Sequence, residues 1–314
     1  MMKQSQIAWG VKGSFCLVKD LNCSLASLEV LQDMSGRREN VMLRAATGLE
    51  GGLAASGSTC GVVTGGALGI ALMEGPMGSH QETMKRVSDY VDWFQNNFAT
   101  TLCRERTGVD FYKARGQFRY FLPGERVARC LWHIGKAMAH VSSLRDEPFS
   151  LKGEQVRESP ADDIHCAQAV LKGVREKTGV GDDLLEKASF VLDGGVAYKG
   201  GACGAIAGAV MALNIAFGWN IREMSYVRTI KNFVVGHTNL LRKHPKAMPE
   251  PFAIGKGLVR TLQAKAGSLE CRQIVGRRFE GQDDFRAYIQ SSQTCADLIK
   301  AAVQEAGEAI EKYR

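Results

Sequence analysis

Apolar positions along this chain recur mostly at helical spacing. Leu25, Leu28, Leu31 and Met34 form a stripe that ends at Gly36, and Asn22 is placed to cap the turn that Cys23 opens. Ala167, Val170, Leu171 and Val174 form a second stripe that ends at Gly179. Two further helices are predicted around residues 40–49 and 182–192, each running into a glycine-rich loop at 51–61 or 194–204. An apolar helix leaves the end of each loop. Met84, Val87, Val91, Phe94 and Phe98 keep one face, as do Leu298, Ile299, Ala302, Val303 and Ala306. No long stretch alternates with a period of two, so the expected fold class is all-α.

Within the two apolar helices, Gly61, Gly65 and Gly69 recur at every fourth position, matched by Gly204, Gly208 and Ala212. Such a stripe leaves one helix face nearly bare, so that another backbone can come close. Each interior glycine costs about 1 kcal/mol against alanine, which close packing must offset. The two stripes either pack on one another, making the chain an internal pseudo-dimer, or each packs within its own copy.

The stripes belong to an internal repeat. A shift of 143 residues places Cys23 on Cys166, Gly36 on Gly179, Gly51-Gly52 on Gly194-Gly195, Gly57 on Gly200, Cys60-Gly61 on Cys203-Gly204 and Gly65 on Gly208. Cys103-Arg104, Gly108 and Phe111 then recur as Cys271-Arg272, Gly276 and Phe279, with Cys130 and Cys295 following. The offset grows here from 143 to 168, so the second copy carries extra residues, expected near 218–262. Two tandem units, 1–145 and 160–314, are expected. The polar segment 143–163, with Pro148 and Pro160, would connect them.

The net charge of +7 is not concentrated in any Lys/Arg run, so nucleic acid is not an expected partner. The opening MMKQSQIAWGVKGSF has no apolar core of a secretory signal. The most apolar segments fall short of the roughly 18 residues that suggest a membrane span. A cytoplasmic location is the resulting expectation. There, eight organised cysteines read more readily as metal ligands or a redox couple than as structural disulfides.

Cys60 and Cys203 stand where a glycine-rich loop enters a helix, and Cys23 and Cys166 stand at helix starts. Free N–H groups and the positive end of the helix dipole stabilise a thiolate there. Gly51, Gly52, Gly57 and Gly61, with Gly194, Gly195, Gly200 and Gly204, would let backbone N–H groups approach a sulfur or a bridging sulfide. In the first of three readings, the quartets Cys23, Cys60, Cys103, Cys130 and Cys166, Cys203, Cys271, Cys295 each hold an iron–sulfur cluster. In the second they form dithiol/disulfide couples. In the third they bind structural zinc, which the lack of tight C-x2–4-C knuckles disfavours. Cys16 aligns with Ser159 and reads as a small apolar side chain.

His165 and His133 align with Asn22 and Leu298, so ordinary hydrogen-bonded roles are expected, while His237 and His244 read as a solvated loop end. Arg104 and Arg272 follow a quartet cysteine in both copies and would either offset thiolate charge or fix a turn. Trp93, Phe94 and Phe98 read as core residues. Neither a phosphate-binding loop nor a dinucleotide fingerprint is present.

The second copy, with Cys166, then Cys203-Gly204-Ala205-Ile206-Ala207-Gly208, then Cys271 and Cys295, resembles the redox-active proteins named for a C-GCAxxG-C-C pattern. The first copy is similar, with Cys23, Cys60-Gly61-Val62-Val63-Thr64-Gly65, Cys103 and Cys130. In both copies the central glycine follows the cysteine instead of preceding it, and family members usually carry one unit per chain. The resemblance implies small helical domains with redox activity. A similar domain in split-Soret cytochromes c is associated with an iron–sulfur centre. That kinship implies a cluster on the two quartets, with the type open and 2Fe–2S one candidate. It also implies a redox protein partner; a homo-oligomer is compatible. No C-x-x-C-H occurs, so covalent haem is not expected.

Overall fold

In the computed structural model, residues 4–74, 79–145 and 164–314 are described. They form sixteen α-helices with a few short 3₁₀ turns and no strand. The first unit runs α1 (Gln4–Asp20), α2 (Cys23–Ser35), α3 (Asn40–Ala46), α4 (Gly61–Glu74), α5 (His80–Phe98), α6 (Cys103–Thr107), α7 (Ala114–Phe121) and α8 (Glu125–Arg145). The second runs α9 (Cys166–Thr178), α10 (Asp183–Ala188), α11 (Gly204–Phe217), α12 (Tyr226–Leu241), α13 (Pro251–Ala266), α14 (Cys271–Ile274), α15 (Gln282–Ser291) and α16 (Gln293–Tyr313). The connector expected at 143–163 lies, from 146 onward, outside the described residues.

Local chemistry sets the helix ends. Asn22 Oδ1 accepts from the backbone N–H of Ser24 and Leu25 and so starts α2, while Gly36 at φ 71° ends it. The matching α9 ends at Gly179, again left-handed. The bare stripe of α4 lies on α2: a Cβ at Gly65 would sit 2.4 Å from the Ser24 carbonyl oxygen, and one at Gly69 2.4 Å from Leu31 Cδ1. In the second unit a Cβ at Gly208 would sit 2.8 Å from Ala167 O on α9. Each stripe therefore packs within its own copy, because it is the backbone of α2 or α9 that needs the space.

The units join by a reciprocal exchange instead. Helix α11 packs on α3 and the 3₁₀ turn Thr47–Leu49 of the first unit, and α4 packs on the 3₁₀ turn Ser189–Leu192 of the second. Arg44 Nη2 donates to Ala216 O (3.0 Å) and Trp219 N–H donates to Thr47 Oγ1 (3.0 Å). One hydrophobic core runs through both units. The stretch Gly204–Glu223 is long and apolar enough by composition to cross a membrane, and 78% of its most apolar 18-residue window is buried inside the protein.

Between the apolar helix and the third cysteine the first unit has α5, whereas the second has α12 and α13. His237 does not stand at a solvated loop end, as expected, but inside α12. That side chain is buried among Phe111, Phe121, Phe233 and Phe252, with Nε2 3.6 Å from Glu50 of the first unit. Its helix turns Val227, Ile230 and Val234 outward, and the histidine lies on the opposite, packed face. His244, by contrast, is exposed in the loop that follows.

Candidate functional site

The glycine loops are left-handed turns. Gly51, Gly52, Leu53, Ala54 and Ala55 all have positive φ, as do Gly194, Gly195, Val196, Ala197 and Tyr198. Each of the three non-glycine residues per copy costs roughly 1–2 kcal/mol in this conformation. Both copies keep the strain. Backbone bonds hold it, among them Ala54 N–H to Gly48 O (2.6 Å) and Gly57 N–H to Gly51 O (2.9 Å), with Ala197 to Val191 and Gly200 to Gly194 (each 2.9 Å) in the second copy.

The loop ends then pair with the start of the third-cysteine helix. Cys60 N–H donates to Thr101 O and Cys103 N–H to Ser58 O, both at 2.8 Å. Cys203 N–H donates to Leu269 O (2.8 Å) and Cys271 N–H to Gly201 O (2.7 Å). These short bridges bring together cysteines that stand 43 and 68 residues apart in sequence. Gly61 and Gly204 admit the first cysteine: a Cβ there would lie 2.6 Å from Cys23 Sγ and 3.0 Å from Cys166 Cβ. The nearest neighbours of the other six candidate glycines lie elsewhere. Gly52 and Gly195 meet the loop's own backbone, Gly51 and Gly194 meet Ala55 and Tyr198, and Gly57 and Gly200 meet Arg104 and Arg272.

In the first unit the Cys23 thiol donates to Cys60. That bond, the charge of Arg106 and the backbone N–H groups of Val62 and Val63 outweigh burial and pull Cys60 down to about 6. Cys23 is pushed well up in return, first by the same hydrogen bond and then by burial. Cys103 is raised by burial and by Cys60 and Cys130, and Cys130, also raised by burial, accepts from the Tyr120 hydroxyl. Arg106 is buried, donates from Nη1 to Cys60 Sγ (2.6 Å), and lies over the Phe94 ring at 4.6 Å. Its Nη2 donates to His133 Nδ1, so His133 is neutral; burial and Arg106 hold it down at about 3.

The second quartet is electrostatically different. Cys166, Cys203, Cys271 and Cys295 together line one small apolar cavity with Phe279, Phe285 and Leu298. Burial raises all four, taking Cys203 to about 11 against the backbone N–H groups of Ile206 and Ala205. Arg106 is replaced by Ile274, and the fully buried Asp193 faces Cys166. Asp193 Oδ1 accepts from Cys166 N–H (2.9 Å), and Oδ2 pairs with His165 Nδ1 (2.6 Å). Both sites thus have a carboxylate beside them, Glu50 acting on Cys23 and Cys103 and Asp193 on Cys166, but only the first carries a buried cation.

Four thiols meet the ligand count of an iron–sulfur cluster, and the apolar surroundings suit one. The cavity of the second site measures about 10 Å³, roughly what holds a single water, so a cluster would spread the thiols apart. Among the described residues no group of three or more side chains stands at metal-holding distances. The donor set fits; the second site is closed. A larger cavity, about 410 Å³ beside Lys19, Asp20, Glu29 and Arg222, is lined by none of the eight quartet cysteines, and these acids are ion-paired.

The family described as "putative redox-active protein (C_GCAxxG_C_C)" matches residues 21–144 and again 164–309. The chain belongs to that family, in two tandem copies. Neither the curated proteins nor the solved structures give a match.

Against this family frame, Arg104 turns away from the thiolates and forms two bonds to Glu270 of the other unit, at 3.1 and 3.0 Å. Arg106, Tyr120 and Asp193 are the site residues that sequence reasoning missed. At the offset of 168 Arg106 falls on Ile274 and Tyr120 on Tyr288, and at 143 Asp193 falls on Glu50, so Arg106 is the one without a counterpart of like chemistry. Arg106 stands three positions after Cys103, on the same side of a helix, which is the one signal that could have found it.

Proposed function

We propose that this protein is an iron–sulfur redox protein acting in electron transfer or redox sensing, with one four-cysteine site in each of the units 1–145 and 160–314. What carries the reading is that cysteines remote in sequence gather around a common point in both units. Family membership supports redox activity in the coarser sense. When bound, such a cluster supplies a one-electron couple. The chain would set its potential: Arg106 favours added negative charge at the first site, and Asp193 opposes it at the second. A reducing, cytoplasmic compartment and a redox protein partner belong to the same reading.

Anaerobic purification followed by iron and acid-labile sulfide assay and EPR tests it. The expected result is coloured protein with iron and sulfide in comparable amounts, both lost on Cys→Ser substitution across a quartet. Colourless, iron-free protein under those conditions would sink it.

A second reading has one specific observation in its favour. The hydrogen-bonded pair Cys23 and Cys60, with Cys60 held as a thiolate, is arranged like a dithiol ready to close to a disulfide. A loss of two mass units on oxidation of the metal-free chain, absent in Cys23→Ser, marks that chemistry.

A further inference from the structure

The two cysteine sites wear different covers. Over the first, α7 turns Arg115, Phe118, Arg119 and Leu122 outward, spaced i, i+3, i+4, i+7 along one face. Phe118 is 64% exposed and Leu122 65%. Helix α8 adds Arg129 and the 54% exposed Trp132, on either side of the half-buried Cys130. The two helices are tied by Arg126, whose Nε donates to Thr107 O (2.8 Å) and whose Nη1 donates to Arg119 O (3.2 Å). On the inner side Tyr120 donates to Cys130. The face and the thiol therefore lie on opposite sides of one short helix.

Its charge is one-sided. Residues 113–136 hold six basic side chains and one acidic, Glu125, for a net +5. The equivalent window around Cys295, residues 278–301, holds three basic and four acidic, for a net −1. None of the large apolar side chains exposed among the described residues falls in that second window. Duplication supplied both covers, and only one became basic and apolar.

We propose that this face of α7 and α8 is the docking surface for a small acidic one-electron carrier that exchanges electrons with the first cysteine site. The proposal rests on the redox reading above. An apolar centre within a charged rim is the anatomy of a protein interface. Net positive charge steers an acidic partner and speeds its encounter. Docking here brings the carrier within one helix thickness of Cys130, while the second site lies under a cover that repels the same partner. Each productive encounter moves one electron: the carrier is oxidised by one and the first site is reduced by one, or the reverse.

The test uses the full chain and an acidic [2Fe–2S] ferredoxin as probe, with binding read by fluorescence anisotropy. Binding should weaken with added salt, and Arg115→Glu with Arg119→Glu should weaken it about tenfold or more. Both side chains are exposed, so the fold should survive, which circular dichroism checks. The control pair Arg278→Glu and Lys300→Glu, over the second site, should leave binding unchanged. Absence of binding, indifference to the Arg115/Arg119 reversal, an equal loss in the control, or equally tight binding of a 20-base-pair DNA duplex each overturns the proposal. Anisotropy reads docking whatever the cysteines hold, whereas the iron assay reads the cluster, so the two readings fail separately.

Discussion

Arg106 shows how one side chain sets the character of a site. Its guanidinium has left water, and the cost is offset by the Phe94 ring, His133 and the negative charge on Cys60. With Cys60 held at about 6, that thiol is mainly thiolate at pH 7. Removing the Cys23 donor should raise Cys60 most and removing Arg106 should raise it less, since the thiol bond is the larger cause. In metal-free protein, Cys23→Ala should cut the rate of iodoacetamide alkylation at Cys60 near pH 6.5 roughly tenfold, with a smaller cut for Arg106→Leu. The pH midpoint of alkylation should move upward in both. An unshifted midpoint in Cys23→Ala would remove the basis of the activated-thiolate argument. The cysteines themselves were legible from the repeat. The residue that most distinguishes the two sites was not, because Arg106 has an isoleucine, Ile274, in its place in the other copy.

Among the elements, α4 depends on absent side chains. At Gly65 an added Cβ would meet the Ser24 carbonyl oxygen at 2.4 Å, and backbone cannot yield as a side-chain tip can. Gly65→Ala should therefore destabilise the chain by about 2 kcal/mol, overpacking outweighing the gain in helix propensity. Gly257, within α13, has nothing within 4 Å of its Cβ position. Gly257→Ala should stabilise by about 0.5–1 kcal/mol. Urea denaturation of the pair checks both signs, and two shifts in the same direction would refute the packing account. Helix spacing, caps and glycine stops placed α2, α4, α5, α9, α11 and α16 correctly. The left-handed turns at 51–55 and 194–198 were readable only as glycine-rich loops. Three of five residues in each are not glycine, and their conformation is imposed by hydrogen bonds to residues up to six positions away.

For the molecule as a whole, the junction of the units matters most. Ala202 N–H donates to Thr59 Oγ1 at 2.7 Å, and Arg104 grips the buried Glu270 with two bonds. Thr59, Ala202, Arg104 and Glu270 each adjoin a quartet cysteine, so the joint and the two sites share their backbone. Arg104→Ala should cost about 1–2 kcal/mol, less than a fully buried pair because its side chain is 39% exposed. Chemical denaturation should still give a single transition, since one core spans both units; two separated transitions would contradict that joint. The sequence by itself determined the all-helical class, the duplication and the eight cysteines, because these are written in spacing and identity along the chain. Tertiary structure alone decided that each glycine stripe packs at home, that the units clasp through α11 and α4, and that only one of the two sites lies by a buried cation. Those outcomes depend on which surfaces meet across more than a hundred residues, and a charge acts on whatever stands beside it in space.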